Sequence, residues 1–198
     1  MSYDSGRSDI AAARDEHVRN SVRVSMPVKV LAFDSAAMTV DVQPLVKGAI
    51  DGEYHSQPPV MAVPIACLCA GEMVIRPWYK RGDTGLLIIG DSDMDMALAS
   101  GDEAEPNTKR SHAPEDGVFL GGLYTAANLP SGLPDNALVL AAGGTYLAVS
   151  SGGIKIQGNL TVTGSITSGG ETTAQGVALS SHTHGGVETG GGSTSGPR

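Results

Sequence analysis

Large core side chains are scarce in this chain. Its 198 residues include one Trp, two Phe and five Tyr, so aromatics make up only 4%. A single globule of that length normally carries more bulk for its core. Cysteine is nearly absent too: Cys67 and Cys69 stand in PIACLCAG, spaced C-x-C. That spacing is not C-x-x-C, and no second pair completes a zinc site. No disulfide framework is expected; both are expected as small buried apolar residues on one face of a strand. Basic runs are missing. The net charge is −8 and the pI about 4.9, so nucleic acid is not an expected partner. Acidity instead favours solubility and disfavours anionic surfaces. No stretch approaches the ~20 apolar residues of a membrane-spanning helix. MSYDSGRSDIAAARDEHVRN, the N-terminal segment, has no apolar h-region. It is therefore read as lacking a secretory signal, with synthesis in the cytoplasm.

What is abundant is glycine, and it is unevenly placed. Residues 141–198 hold 15 of the 27 glycines, only four charged side chains (Lys155, Glu171, Glu188, Arg198) and one aromatic, Tyr146. A composition boundary therefore falls near LPSGLPDNALVL, residues 129–140. Before it, residues 1–21 predict a short surface helix capped by Ser8. Residues 22–34 and 37–46 alternate in part, with a break at Asp34–Ala36. PVMAVPIACLC and GEMVIRPW are expected as further strands, and RGDTGLLIIGD as a turn feeding an apolar strand. Short strands punctuated by Pro and Gly fit a small barrel or sandwich, and an OB-type barrel fits in size.

After the boundary the glycines keep time. They fall at 152, 158, 164, 170 and 176, giving GGIKIQ, GNLTVT, GSITSG, GETTAQ and GVALSS. Within these hexads Ile154, Ile156, Leu160, Val162 and Ile166 are all even-numbered. Period two puts them on one face of extended chain, with Thr and Ser filling much of the other. Six-residue repeats are a β-helix signature, yet a single chain would need about three hexads per coil and about three repeats for stability. One chain cannot bury so thin a face. Three copies around a three-fold axis can, with glycine permitting tight turns and closure removing open strand edges. The expectation is an intertwined homotrimeric β-helix or β-prism.

His182 and His184, in SHTHGG, share the even parity. Adjacent odd-numbered Val177 and Leu179 mark a place where the alternation can slip. On a strand, H-x-H sets two imidazoles on one face, about 6–7 Å apart. Three chains would bring six imidazoles to the axis. Six nitrogens suit an octahedral first-row divalent metal such as iron better than tetrahedral zinc.

Three stretches together resemble the central-spike (tail-tip) proteins of contractile-tailed bacteriophages, particularly the short, enzyme-free, Mu-like membrane-piercing type. MPVKVLAFDSAAMTVDVQPLV with RGDTGLLIIGDSDMD looks like the family's OB-type domain, GNLTVTGSIT like its triple-stranded β-helix, and SHTHGG like its apex motif. The resemblance implies an all-β chain: an N-terminal helical segment over 1–21, and an OB-type barrel with following linker over 22–128. A trimeric β-helix over 129–176 and a metal-clamped apex over 177–198 complete it. It further implies one iron ion per trimer, octahedral on the three-fold axis and held by His182 and His184; another first-row divalent metal would also suit imidazole. Expected partners are two further copies of the chain, the baseplate hub and tail proteins, and the host bacterial outer membrane, pierced when the sheath contracts. The expected location is the tip of the tail baseplate in the virion, after synthesis in the host cytoplasm. No catalytic residue carries over.

An enzyme is not expected on the residues either. Non-haem iron enzymes use two His, one carboxylate and open coordination positions. Here Glu188 is the only acid near the histidines, while His17, His55 and His112 are scattered. No G-x-S-x-G nucleophile motif is present. DSDMD (91–95) lacks the Gly and Glu of an EF-hand loop and reads as an acidic loop. The alternative is a trimeric tail-fibre or adhesin-type protein that binds a receptor or glycan. Exposed aromatics usual at such tips are missing from the C-terminal part.

Overall fold

Alternation in the N-terminal part becomes strands with one buried face. In β1 (Ser25–Asp34), Met26, Val28 and Val30 are buried while Ser25 and Lys29 face solvent. In β2 (Thr39–Pro44), Val40 and Val42 are buried. The computed structural model describes residues 22–183 and residue 190; the helix expected over 1–21 lies outside them. The chain divides into two compact units between Pro130 and Ser131.

The first unit is built on β1, β2, β5 (Val60–Pro64), β8 (Thr84–Ile89) and β9 (Gly117–Gly121). Asp34 turns the chain between β1 and β2, its Oδ1 accepting the N–H groups of Ala36 and Ala37 at 2.8 and 3.0 Å. The five strands lie in the order β5-β2-β1-β8-β9, each antiparallel to its neighbours. The two ends of the sheet then meet. Ile65 forms a parallel bridge with Phe119, and the Ala66 N–H donates to the Phe119 carbonyl at 2.9 Å. The result is a closed five-stranded barrel of OB type. A bulge bends β5 where Met61 and Ala62 face Asp41; Ala62 has φ 53°, and its N–H reaches Asp41 Oδ1 at 2.9 Å.

Eleven residues from Met26 to Phe119 form the barrel core, with Phe33 and Ile65 packed against it. Tyr79 stands edge-on to Phe119 and Phe33, ring centres 5.2 and 5.8 Å away. Such contacts need room on the facing strand. At Gly85 an added Cβ would lie 2.5 Å from the Phe119 ring, and at Gly121 it would overlap the Tyr79 ring.

Two expectations in this unit are corrected. PVMAVPIACLC is not one strand. Pro64 ends β5, Ile65 turns to Phe119, and the chain continues into a separate hairpin of β6 (Leu68–Ala70) and β7 (Met73–Ile75). Neither strand of that hairpin buries a residue, so Cys69 is exposed and Cys67 half-buried, both as free thiols rather than core residues. β3 (Gly48–Ile50) and β4 (Glu53–His55) form a second small hairpin, turned by Asp51–Gly52 with both φ positive.

DSDMD is not a solvated acidic loop. Asp93 is buried, and a short helix, α1 (Asp95–Ser100), begins within the motif. Arg110 is the reason. It grips Asp116 with two hydrogen bonds, Nε to Oδ2 at 3.0 Å and Nη2 to Oδ1 at 2.8 Å. The same Nη2 lies 2.9 Å from Asp95 and 3.3 Å from Asp93. The Thr108 hydroxyl donates to Asp93 at 2.6 Å. A buried carboxylate persists when charge and hydrogen bonds replace its lost hydration. The long connection from β8 to β9 is thereby tied into a compact knot.

The second unit opens with an antiparallel meander of β10 (Leu138–Ala142), β11 (Thr145–Ser150) and β12 (Gly153–Gln157). Its register aligns Leu138, Val149 and Ile154 in one row and Leu140, Leu147 and Ile156 in the next. Directly paired residues share a face, so all six aliphatic side chains stand together. On the opposite face Tyr146 and Ala148 are buried, with the Lys155 ammonium 5.7 Å from the Tyr146 ring centre.

Beyond β12, residues 159–170 form no strand, bend at 163–164 and 169–170, and make no backbone–backbone hydrogen bond among the described residues. Only Gly158 and Gly176 of the five period-six glycines take positive φ, 120° and 82°. The other three, Gly152, Gly164 and Gly170, lie at a turn or a bend without positive φ. A hairpin of β13 (Thr173–Ala174) and β14 (Val177–Ala178) ends the described fold.

Candidate functional site

The six-residue apolar face is the first functional feature. Leu138, Leu140, Val149, Ile154 and Ile156 are between 37% and 70% exposed, and Leu147 is only half-buried. Leu160, Val162 and Ile166 extend the exposed apolar series toward the C-terminus. A contiguous aliphatic sheet face left in water is a mark of an interaction surface. Parity supported this face only from residue 152 onward. The preceding strands were missed, although LVLAA and TYLAVS carry the same alternation: Leu138 and Leu140 are even-numbered, Leu147 and Val149 odd-numbered.

The second feature is the terminal hairpin. Gln175 and Gly176, with φ 51° and 82°, form its two-residue turn. Glu171 reaches across the open end. Its Oε1 accepts the Thr172 N–H at 3.0 Å and the Ser180 N–H at 3.1 Å, and its Oε2 takes the Ser180 hydroxyl. These bonds, the Ser180 hydroxyl foremost, hold the Glu171 carboxyl below its ordinary range. Sequence reading passed over Glu171 and Ser180. The signal was present: a two-residue turn at Gln175–Gly176 pairs Ala174 with Val177 and Thr173 with Ala178, and continuing outward sets Glu171 opposite Ser180.

His182 follows at once, and it does not continue the strand expected there. Residues 179–181 form a turn, and the His182 N–H donates to the Ala178 carbonyl at 3.1 Å. His182 therefore leaves a turn instead of continuing β14. Its ring Nδ1 lies 3.2 Å from the Ala178 carbonyl and 3.0 Å from that of Leu179. Carbonyls only accept, so Nδ1 carries the proton and the lone pair of the neutral ring is on Nε2. Metal-binding histidines are commonly held this way, with one ring N–H on a backbone carbonyl. His184 and Glu188 lie outside the described residues.

Among the described residues one group of three metal-capable side chains converges: Asp93, Asp95 and Asp116, their oxygens within 4.8 Å of one another. The Arg110 guanidinium already neutralises that cluster in part. His55 lies 3.7 Å from Glu53, and His112 Nδ1 contacts the Arg23 carbonyl at 3.1 Å.

Residues 26–122 match the family described as Phage protein Gp138 N-terminal domain. Residues 176–198 match the GpV Apex motif. No curated protein matches the chain significantly.

Proposed function

The chain belongs to the central-spike proteins of phage baseplates, coupling a Gp138-type N-terminal domain to a GpV-type apex, and we propose that it works as the trimeric, membrane-piercing tip of a contractile tail. Its role is structural, in the virion tail, in association with baseplate and tail proteins. The observation that carries the finer reading is the aliphatic face of β10–β12, continued by Leu160, Val162 and Ile166. Three such faces meeting on a three-fold axis would remove from water what one chain leaves exposed. The backbone of residues 159–170, which joins no strand, would find partners in neighbouring copies, winding the β-helix expected over residues 129–176. A rod bonded along its whole length is stiff, as a point driven through an outer membrane must be.

At the apex, residues 177–198, the aliphatic series gives way after Leu179 mostly to Ser, Thr, Gly and His. His182 and His184 are the metal ligands in this reading, three chains giving six imidazoles to one iron ion or a similar first-row divalent metal. His182 fits that role, because its Nδ1–H is engaged by backbone carbonyls and its lone pair lies on Nε2. Bound metal would crosslink three chain ends where no hydrophobic core remains. Tyr146, the only aromatic after residue 140, is buried, so a glycan-binding tip has no aromatic platform there.

Native mass measurement with metal analysis tests this reading. The expected result is an assembly of three 20.2 kDa chains with about one metal per trimer, lost in His182→Ala/His184→Ala. A monomer, or metal content indifferent to the double substitution, would contradict it.

A further inference from the structure

Hairpin β13–β14 has only two ladder pairs, too few for a two-stranded ribbon to hold its shape alone. Something else must define the turn that carries His182. Among the described residues, Glu171 is the one side chain bonded to both sides of that hairpin, to Thr172 before it and Ser180 after it. Leu179 N–H closes the same end on the Thr172 carbonyl at 2.8 Å. Ser180 sits inside the turn whose Ala178 and Leu179 carbonyls engage the His182 ring.

We propose that Glu171 is a positioning residue for His182: by fastening Ser180 to the start of the hairpin it sets the two carbonyls that keep the imidazole proton on Nδ1 and present Nε2. The consequence for metal rests on the metal-apex reading above; the geometry does not. An ionised carboxylate accepting two N–H groups and one hydroxyl makes charge-assisted bonds, about twice as strong as neutral ones. That suits it to hold a short hairpin at an exposed tip. Without the carboxylate the turn is tied by a two-rung ladder and two backbone bonds, Leu179 N–H to Thr172 and His182 N–H to Ala178. The acceptors of Nδ1–H then lose their fixed place, and the proton exchanges to Nε2, the atom that must be bare to bind metal.

The test uses the full-length protein with 15N-labelled histidine. Metal is stripped by chelator at mildly alkaline pH, where neutral imidazole dominates. Long-range 1H–15N correlation reads the His182 tautomer, assigned by its loss in His182→Ala. Wild type should be mainly Nδ1–H. Glu171→Ala should shift the ring to a mixture or to Nε2–H, with barrel signals unchanged. Glu171→Gln, which keeps an acceptor oxygen, should restore part of the wild-type tautomer. Ser180→Ala, a milder change, should move the ring the same way by less. In a second arm ferrous ion is titrated back anaerobically, and Glu171→Ala should bind about 10- to 100-fold more weakly, as loss of an outer-shell partner does.

A His182 tautomer unchanged in both Glu171→Ala and Ser180→Ala would overturn the assignment, as would a wild-type ring protonated on Nε2. A tautomer that shifts while wild type binds no ferrous ion would uphold Glu171 as the positioning residue and overturn the metal reading instead.

Discussion

The two units of this chain solve burial in opposite ways. Five barrel strands enclose eleven core residues contributed by one chain. The second unit, with three strands in its main sheet, buries only Tyr146 and Ala148 among its described hydrophobic residues and turns six aliphatic side chains outward. Both are built from alternating strands. What separates them is closure. The barrel sheet meets itself at Ile65 and Phe119, so its inner face is dry within one molecule. The meander stays open, and its apolar face is left exposed.

That contrast can be broken at either end, and the largest effect belongs to the spike. Leu147 lies at the centre of the row Leu140–Leu147–Ile156. In a trimer Leu147→Asp would bring three carboxylates toward one axis, each costing several kcal/mol to desolvate. Assembly mass should fall to that of one 20.2 kDa chain, by light scattering, while the barrel stays folded. A trimer that survives would show that this face is not the interface. Next in size is Phe119→Ala, which empties the barrel centre and should cost about 3–5 kcal/mol. Calorimetry should place that loss in the barrel transition alone. A spike transition that moved equally would mean the two units melt as one.

Legibility followed the same division. The alternation in SMPVKVLAFD and TVDVQP, and the break at Asp34, sufficed for the barrel's first hairpin, because local pattern and burial coincide there. Closure at Ile65–Phe119 joins residues 54 positions apart and leaves no local trace; it also split a predicted strand and left Cys69 exposed. Asp93 looked like loop acid because its partner Arg110 is 17 residues away. In the second unit the period of six marked Ile154 through Ile166. It concealed the meander, since β10 and β11 precede the first hexad and change parity at the Gly143–Gly144 turn. The histidines were visible as ligand types. The setting of His182 was not, because it leaves a turn bridged by Glu171 and Ser180 where parity assumed a strand.

Metal removal sharpens the contrast by touching only the spike. A ligand that binds only the folded trimer stabilises it by about 2.7 kcal/mol when free at 100 times its dissociation constant. Chelation, or His182→Ala, should lower the spike transition and leave the barrel transition in place. Equal shifts in both would deny that the metal sits at the apex.

Acid gives the smallest effect and the finest comparison, since each unit holds a carboxyl below its ordinary value. In the barrel one is Asp93, through the Thr108 hydroxyl first and the Asp95 N–H second, beside Asp34, lowered by the Ala37 and Ala36 N–H groups. In the spike it is Glu171, through the Ser180 hydroxyl first. A depressed carboxyl adds stability that is complete above its unfolded value and lost as pH falls through its native one. Loss should therefore begin below about 4.5 for Glu171 and below about 3.8 for Asp93. Ser180→Ala and Thr108→Val each remove the leading cause at one site and raise that carboxyl toward its ordinary value. Each should move one acid transition to higher pH, read for the barrel in Tyr79 near-ultraviolet dichroism and for the tip in hydrogen exchange of the Leu179 amide. If either substitution moved both transitions, the separate closure of the two units would be the wrong account of why one chain folds half of itself alone.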